Sequence, residues 1–145
     1  MTARVQRTTL LVADLERSLR LYRDVLGFTV AYIKDSESTS YSYPTFAIPR
    51  AARIRFATLD LGPVPRVLGL TEVTGVVLPP PAAIRPAALV LEMPELELVL
   101  PRVAALPDVR VLPGGELVTH DGRRGLEVSV WDPDGHVVVL YEIHR

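Results

Sequence analysis

Two stretches of this chain read alike at a fixed spacing. Thr8 to Val30 runs as a β-rich segment, an acidic residue followed by leucine, an amphipathic stretch and a second β-rich segment, and Ala88 to Val111 runs the same way. Asp14-Leu15 matches Glu95-Leu96, Leu19 matches Leu100, Tyr22 matches Val103 and Val25 matches Leu106, all at one offset of 81 residues. An internal repeat in a chain of 145 residues implies two fused copies of one supersecondary unit. Such pairs form a cleft, and function is expected there.

Each copy resolves further along the chain. Arg4 to Val12 is β-rich, and Asp14 stands where a helix N-cap belongs, because a carboxylate accepts the unpaired amides of a first turn. Leu15, Leu19, Tyr22 and Leu26 fall on one stripe, with Arg17, Arg20, Arg23 and Asp24 mostly off it, and Gly27 ends the helix. Thr29 to Lys34 alternates as a strand does. The polar segment Asp35 to Pro44 reads as a mobile loop. Two further strands are predicted at Arg53 to Asp60 and Arg66 to Thr74, joined at Gly62-Pro63-Val64-Pro65. Residues 4–76 thus make one β-α-β-β-β module.

Residues 77–86 carry Pro79, Pro80, Pro81 and Pro86 and read as a stiff linker. The second module, 87–143, repeats the order: a strand at Ala88 to Met93, a helix at Pro94 to Leu106, a strand at Val109 to Leu117, and a hairpin of Gly125 to Trp131 with Val137 to Ile143 around Asp132-Pro133-Asp134-Gly135. Pro101 falls inside that helix, where proline costs about 3 kcal/mol, so a kink or a late start is expected. The whole chain, 1–145, is predicted to be a single α+β domain of two tandem βαβββ modules whose sheets form a curved, incomplete barrel.

Composition removes several function classes. A formal net charge of −1 provides no basic field, which argues against nucleic acid and anionic membrane as partners. Without cysteine there is no disulfide, thiolate nucleophile or Cys-bound zinc. The N-terminal residues lack a signal-peptide apolar region, and no apolar run approaches the roughly 18 residues of a membrane span. The expectation is a cytoplasmic protein. No Ser-His-Asp arrangement, phosphate loop or dinucleotide glycine motif is present.

The segment Val12-Ala-Asp-Leu-Glu-Arg-Ser-Leu-Arg-Leu-Tyr-Arg-Asp-Val-Leu-Gly-Phe28, together with Gly122-Arg-Arg-Gly125 and Asp132-Pro-Asp-Gly-His-Val-Val-Val-Leu-Tyr141, resembles the vicinal oxygen chelate superfamily. This group includes glyoxalase I, extradiol dioxygenases, fosfomycin-resistance enzymes and bleomycin-resistance proteins. The resemblance spans nearly the whole chain and implies the glyoxalase/bleomycin-resistance/dioxygenase fold. It does not select a function, because isomerases, oxygenases, transferases and binding proteins share that scaffold.

Metal-dependent members of the family place a His at the start of each module's first strand and a carboxylate or amide on each last strand. Carried over position by position, the resemblance assigns those places to Arg7 and Ala88, and to Gly69 and Val139. None offers the usual nitrogen or oxygen donor, and the Arg7 cation would repel a divalent ion. The expectation is therefore no metal and no cofactor.

Strand parity suggests what lines the cleft instead. If Arg7 faces it, so do Thr9 and Leu11, and alternation adds Ala88, Val90 and Glu92; Val67, Gly69 and Thr71; Val137, Val139 and Tyr141; and Glu127, Ser129 and Trp131. On the third strand, apolar Ile54 and Phe56 are expected to face the helix, which turns Arg53 and Arg55 toward the cleft. The candidate ligand-binding set is Arg7, Thr9, Arg55, Glu92, Glu127 and Trp131; no catalytic residue is assigned. Each has a plain alternative: the arginines pair with Glu92 or Glu127 across the sheet, and Trp131 is a rim or dimer-contact residue. Tyr41 and Tyr43 are either a lid or ordinary loop packing. Of the three histidines only His120, in a loop beside the last hairpin, is placed to reach a ligand.

Two functions fit. One is a metal-independent protein binding a small anionic or carbonyl-bearing organic molecule, as bleomycin-resistance proteins sequester theirs. The other is a glyoxalase-like lyase or isomerase of the lactoylglutathione lyase type, with Glu92 or Glu127 as base and Arg7 or Arg55 stabilising an oxyanion. The family resemblance and exposed strand edges point to a homodimer.

Overall fold

In the computed structural model, which describes residues 1–145, the acidic-leucine pair of each repeat marks a helix start. The first module runs β1 (Thr8–Val12), α1 (Leu15–Tyr22), β2 (Thr29–Asp35), α2 (Ser42–Thr45), β3 (Arg53–Leu61) and β4 (Val64–Thr74). The second runs β5 (Ala88–Glu92), α3 (Leu96–Ala104), β6 (Arg110–Val111), β7 (Gly115–Val118), β8 (Arg124–Trp131) and β9 (Val137–Ile143). The chain divides into two compact units at Pro79. One sheet has the order β1-β4-β3-β2, and the other has β5-β9-β8-β6 with β7 also on β8. In both, the first strand is parallel to the last and the other pairings are antiparallel. No helix is long and apolar enough to cross a membrane.

Asp14 caps α1 as its type predicts, accepting the Arg17 amide at 3.1 Å. Leu15, Leu19 and Tyr22 are fully buried, and so are Ser18 and Leu21, so cover extends beyond the single stripe. The chain leaves the helix through Gly27 at φ +86°, and Phe28 turns in to meet Tyr22 edge to face at 6.1 Å. In the second module Glu95 sits at φ +57° and its side chain makes no cap bond. Pro101 is accommodated within α3, which begins at Leu96, later than the Pro94 expected from the sequence.

A strand glutamate holds the first amide of each long helix. Glu72 of β4 accepts the Leu15 N–H at 2.6 Å, and Glu142 of β9 accepts the Leu96 N–H at 2.9 Å. These are equivalent positions, because Leu15 and Leu96 are themselves a repeat pair. An amide of the first helical turn has no partner within its own helix, and the positive end of the helix favours a carboxylate there.

Two predicted elements differ from what forms. The strand expected over Val109 to Leu117 is broken into β6 and β7, both paired to β8. Leu112 still donates to Ser129 at 2.9 Å, but Pro113 has no amide to continue the ladder. The polar segment expected to be a mobile loop is instead anchored by α2. Tyr43 is 5% exposed, its hydroxyl donates to the Ala52 carbonyl at 2.8 Å, and it packs with Ile48, Ala52, Ile54 and Val73. Tyr43 is a core residue of the first module rather than part of a lid, whereas Tyr41 is 81% exposed.

Candidate functional site

Strand register brings one face of the first sheet into focus. Thr9 opposes Gly69, Gly69 opposes Thr58, and Thr58 opposes Tyr32, a single row across β1, β4, β3 and β2. The next row carries Leu11, Thr71 and Phe56. Arg7, just before β1, lies over the gap that Gly69 leaves. A Cβ added at Gly69 would stand 2.8 Å from Thr9 Oγ1 and 3.3 Å from Arg7 Cδ, so the missing side chain is what lets these two approach the floor. The result is a hollow of about 320 Å³ lined by Arg7, Thr9, Tyr32, Phe56, Thr58 and Gly69, among others.

Two polar atoms of this hollow have no hydrogen-bond partner. Arg7 Nε is buried and unpaired, and so is Thr58 Oγ1, on a residue only 3% exposed. Leaving such a group unsatisfied costs about 1–3 kcal/mol. Buried polar groups are seldom left unpaired, so two on residues lining one hollow call for an explanation.

Arg55 is not on this face, contrary to the parity expected for β3. Phe56 and Thr58 oppose Thr71 and Gly69, so Phe56 and Thr58 face the hollow, Ile54 shares their side of the sheet, and the alternate residues point to the side of α1. Arg55 opposes Glu72 and pairs with it, Nε to Oε1 at 3.2 Å and Nη2 to Oε2 at 3.3 Å. The same carboxylate holds the start of α1. Hydrogen bonding to Glu72, then its charge, raises the Arg55 pKa further above its already high ordinary value. Taking apolar β3 residues to mean the helix side failed because the segment carrying α2 covers the other face and makes that end apolar too.

The second sheet keeps the expected parity. Glu92 and Glu127 both oppose Tyr141, from β5 and β8, and line a hollow of about 300 Å³ with Val90, Val139 and Arg123. Both glutamates are solvent-exposed. His120 is exposed in the Thr119–Asp121 turn and is not among the lining residues. In that turn the Thr119 hydroxyl and then Arg123 hold the Asp121 carboxyl below the usual carboxylate range.

Trp131 is on the same face, but its ring is already occupied. The Arg85 guanidinium lies 4.2 Å from the ring centroid and that of Arg110, its cross-strand neighbour, 4.9 Å. The proline-rich segment brings Arg85 there, with Pro81 against Gly135 in the hairpin turn. Two guanidinium groups thus already stand over the Trp131 ring. Trp131→Ala should lower the unfolding free energy by about 2 kcal/mol, since each cation–π contact contributes about 0.5–1 and ring burial adds the rest. Urea unfolding of Trp131→Ala beside Arg85→Ala/Arg110→Ala checks it; an unchanged midpoint in the double variant would remove the stack from the stability account.

The positions that the family resemblance assigns to a metal carry Arg7, Gly69, Ala88 and Val139. In the first module that space is taken by an arginine stem and a threonine hydroxyl, and in the second the assigned residues are hydrocarbon. No three His, Asp or Glu side chains gather in a way that could hold an ion. These residues do not fit a divalent cation.

Two copies of one β-α-β-β-β topology, each with a parallel first-to-last strand pair and a glutamate-held helix, define an α+β protein of repeated modules. The chain belongs to the Glyoxalase/Bleomycin resistance protein/Dioxygenase superfamily, whose family model matches residues 4–140. No curated protein matches the sequence. Among solved structures, a glyoxalase family protein from Bacillus cereus superposes with a TM-score of 0.77 at 10% identity, covering 100% of this chain and 97% of that one. The fosfomycin resistance protein FosX from Listeria monocytogenes, complexed with Mn(II) and sulfate, gives 0.61 at 17% identity, covering 98% and 93%. The trypanothione-dependent glyoxalase I of Leishmania major gives 0.61 at 21%, covering 97% and 87%. At such identities the likeness extends to the fold alone.

Proposed function

We propose that this chain binds a small anionic or carbonyl-bearing organic molecule on the face of its first module, without the family's metal. The observation that carries this reading is Arg7, whose buried Nε lacks a partner and whose stem stands at the Gly69 gap, in a hollow also lined by Thr58 with its unpartnered hydroxyl. An anionic ligand supplies the acceptor that Arg7 lacks. Charge-assisted hydrogen bonds of this kind contribute about 1.5–3 kcal/mol. Thr9 stands at the same floor and offers a second hydroxyl. Glu92, Glu127 and Trp131 belong to the other unit and are not among the residues lining this hollow.

Pyruvate, which is both anionic and carbonyl-bearing, is the first probe. Wild-type protein dialysed against chelator should bind it, and Arg7→Ala should bind it about ten- to a hundredfold less well, at 1.4 kcal/mol per decade. Titration calorimetry reads both. Binding that appeared only after Mn(II) or Zn(II) was added, or that was equal in the two proteins, would reject the proposal.

A second reading, a glyoxalase-like lyase or isomerase, is favoured by Glu92 and Glu127 on either side of Tyr141. Proton transfer beside a carbonyl needs a carboxylate base near the substrate carbon. It would be supported by turnover of the methylglyoxal–glutathione adduct in chelated protein that Glu127→Gln or Glu92→Gln abolishes.

A further inference from the structure

We infer that the ligand of the first-module hollow is a monocarboxylate carrying one aromatic ring, an identification that rests on the binding reading above. Among the residues lining the hollow, Arg7 is the single charged one and none is a carboxylate. One unopposed cation selects a ligand of charge −1. A zwitterion would bring an ammonium group to a wall with no anion, and a dianion would leave its second charge without a partner.

The hollow is also polarised from end to end. On the β1 side the Arg7 stem and Thr9 stand at the Gly69 gap, and Thr58, with its unpartnered hydroxyl, is Gly69's neighbour on β3, a donor set suited to the two oxygens of a carboxylate. Toward the other end the lining includes three aromatic rings, beside Ser42 and Thr71. Tyr32 and Phe56 meet edge to face at 6.0 Å, and Phe46 comes from the α2 segment. Tyr32 is 42% exposed, so part of its ring is free to pack against a planar guest. A space of about 320 Å³ accommodates one ring and a short side chain, at the lower limit of ordinary ligand pockets.

Phenylacetate is the probe, with phenylacetamide, cyclohexylacetate and pyruvate as comparisons, measured by titration calorimetry on the full chain. Phenylacetate should bind best. Phenylacetamide should bind at least tenfold more weakly for want of the charge, and cyclohexylacetate and pyruvate several-fold more weakly for want of the ring. Thr58→Val keeps the shape of the side chain and removes the unpaired hydroxyl. It should raise the melting temperature of the ligand-free protein while weakening phenylacetate about tenfold, a combination that a purely structural threonine would not produce. If pyruvate bound as well as phenylacetate and still required Arg7, the aromatic assignment would fall and the anion site would stand. If no carboxylate bound, or Arg7→Ala left all affinities unchanged, both would fall.

Discussion

Gly125→Ala should cost about 4 kcal/mol or more and leave the protein insoluble or melting more than about 10 °C below wild type. Gly125 is buried in β8 opposite Ile143 of β9. A Cβ there would overlap the Glu142 carbonyl oxygen and stand 3.0 Å from its carbon and 3.1 Å from Ile143 Cα. All three are backbone atoms, so no rotamer change relieves the clash. The strands must part at the point where Glu142 reaches back to the Leu96 amide, so the start of α3 is disturbed as well. Gly122→Ala is the matched comparison within the same Gly-Arg-Arg-Gly segment. Its φ is +83° with nothing within 4 Å, so alanine meets only the left-handed backbone penalty, about 1 kcal/mol. Thermal melts of the two variants decide the matter: equal losses would mean that Gly125 is needed for its backbone angle and not for its space.

Glu72→Ala should destabilise the protein by about 3 kcal/mol, which corresponds to a fall of roughly 9 °C in melting temperature for a chain of this size. The carboxylate is 13% exposed and serves two partners, the Leu15 amide at the start of α1 and the Arg55 guanidinium. Losing the amide partner strands a donor at a helix end. The Arg55 contribution is smaller, because that side chain is 39% exposed and solvent screens its charge. Glu72→Gln retains an acceptor oxygen while removing the charge, and should recover more than half of the loss. Glu142→Ala tests the equivalent position, where Glu95 adds no cap bond of its own. A Glu72→Ala protein as stable as wild type would show that the helix start is held by Asp14 alone.

Neither glutamate stood out in the sequence. Glu72 lies within a strand and 57 residues from the amide it accepts, and nothing in local periodicity marks a carboxylate for a distant helix end. A signal was nonetheless available in the repeat, which aligns Leu15 with Leu96 and so invites the search for one shared device at both. Arg55 lies on the face opposite to the expected one for a related reason. Apolar alternation identifies which residues share a face, but it names the face only when the other side is wet, and Tyr43, Ile48 and Ala52 keep the second side of β3 dry near Ile54.

The sequence alone determined the repeated βαβββ order, the helix start at Asp14-Leu15, and the family. These depend on periodicity and capping, which act over a few residues and are written wherever those residues occur. That Arg7, Gly69, Ala88 and Val139, the places the family resemblance assigns to a metal, carry no imidazole, carboxylate or amide side chain is likewise a matter of residue type. Only the tertiary structure decided that Arg55 belongs to a helix-holding pair, that the Arg85 and Arg110 guanidinium groups stand over the Trp131 ring, and that Arg7 and Thr9 stand at the gap left by Gly69. Those relations join residues tens of positions apart, and strand register, set by packing on both faces of a sheet, is what brings them together.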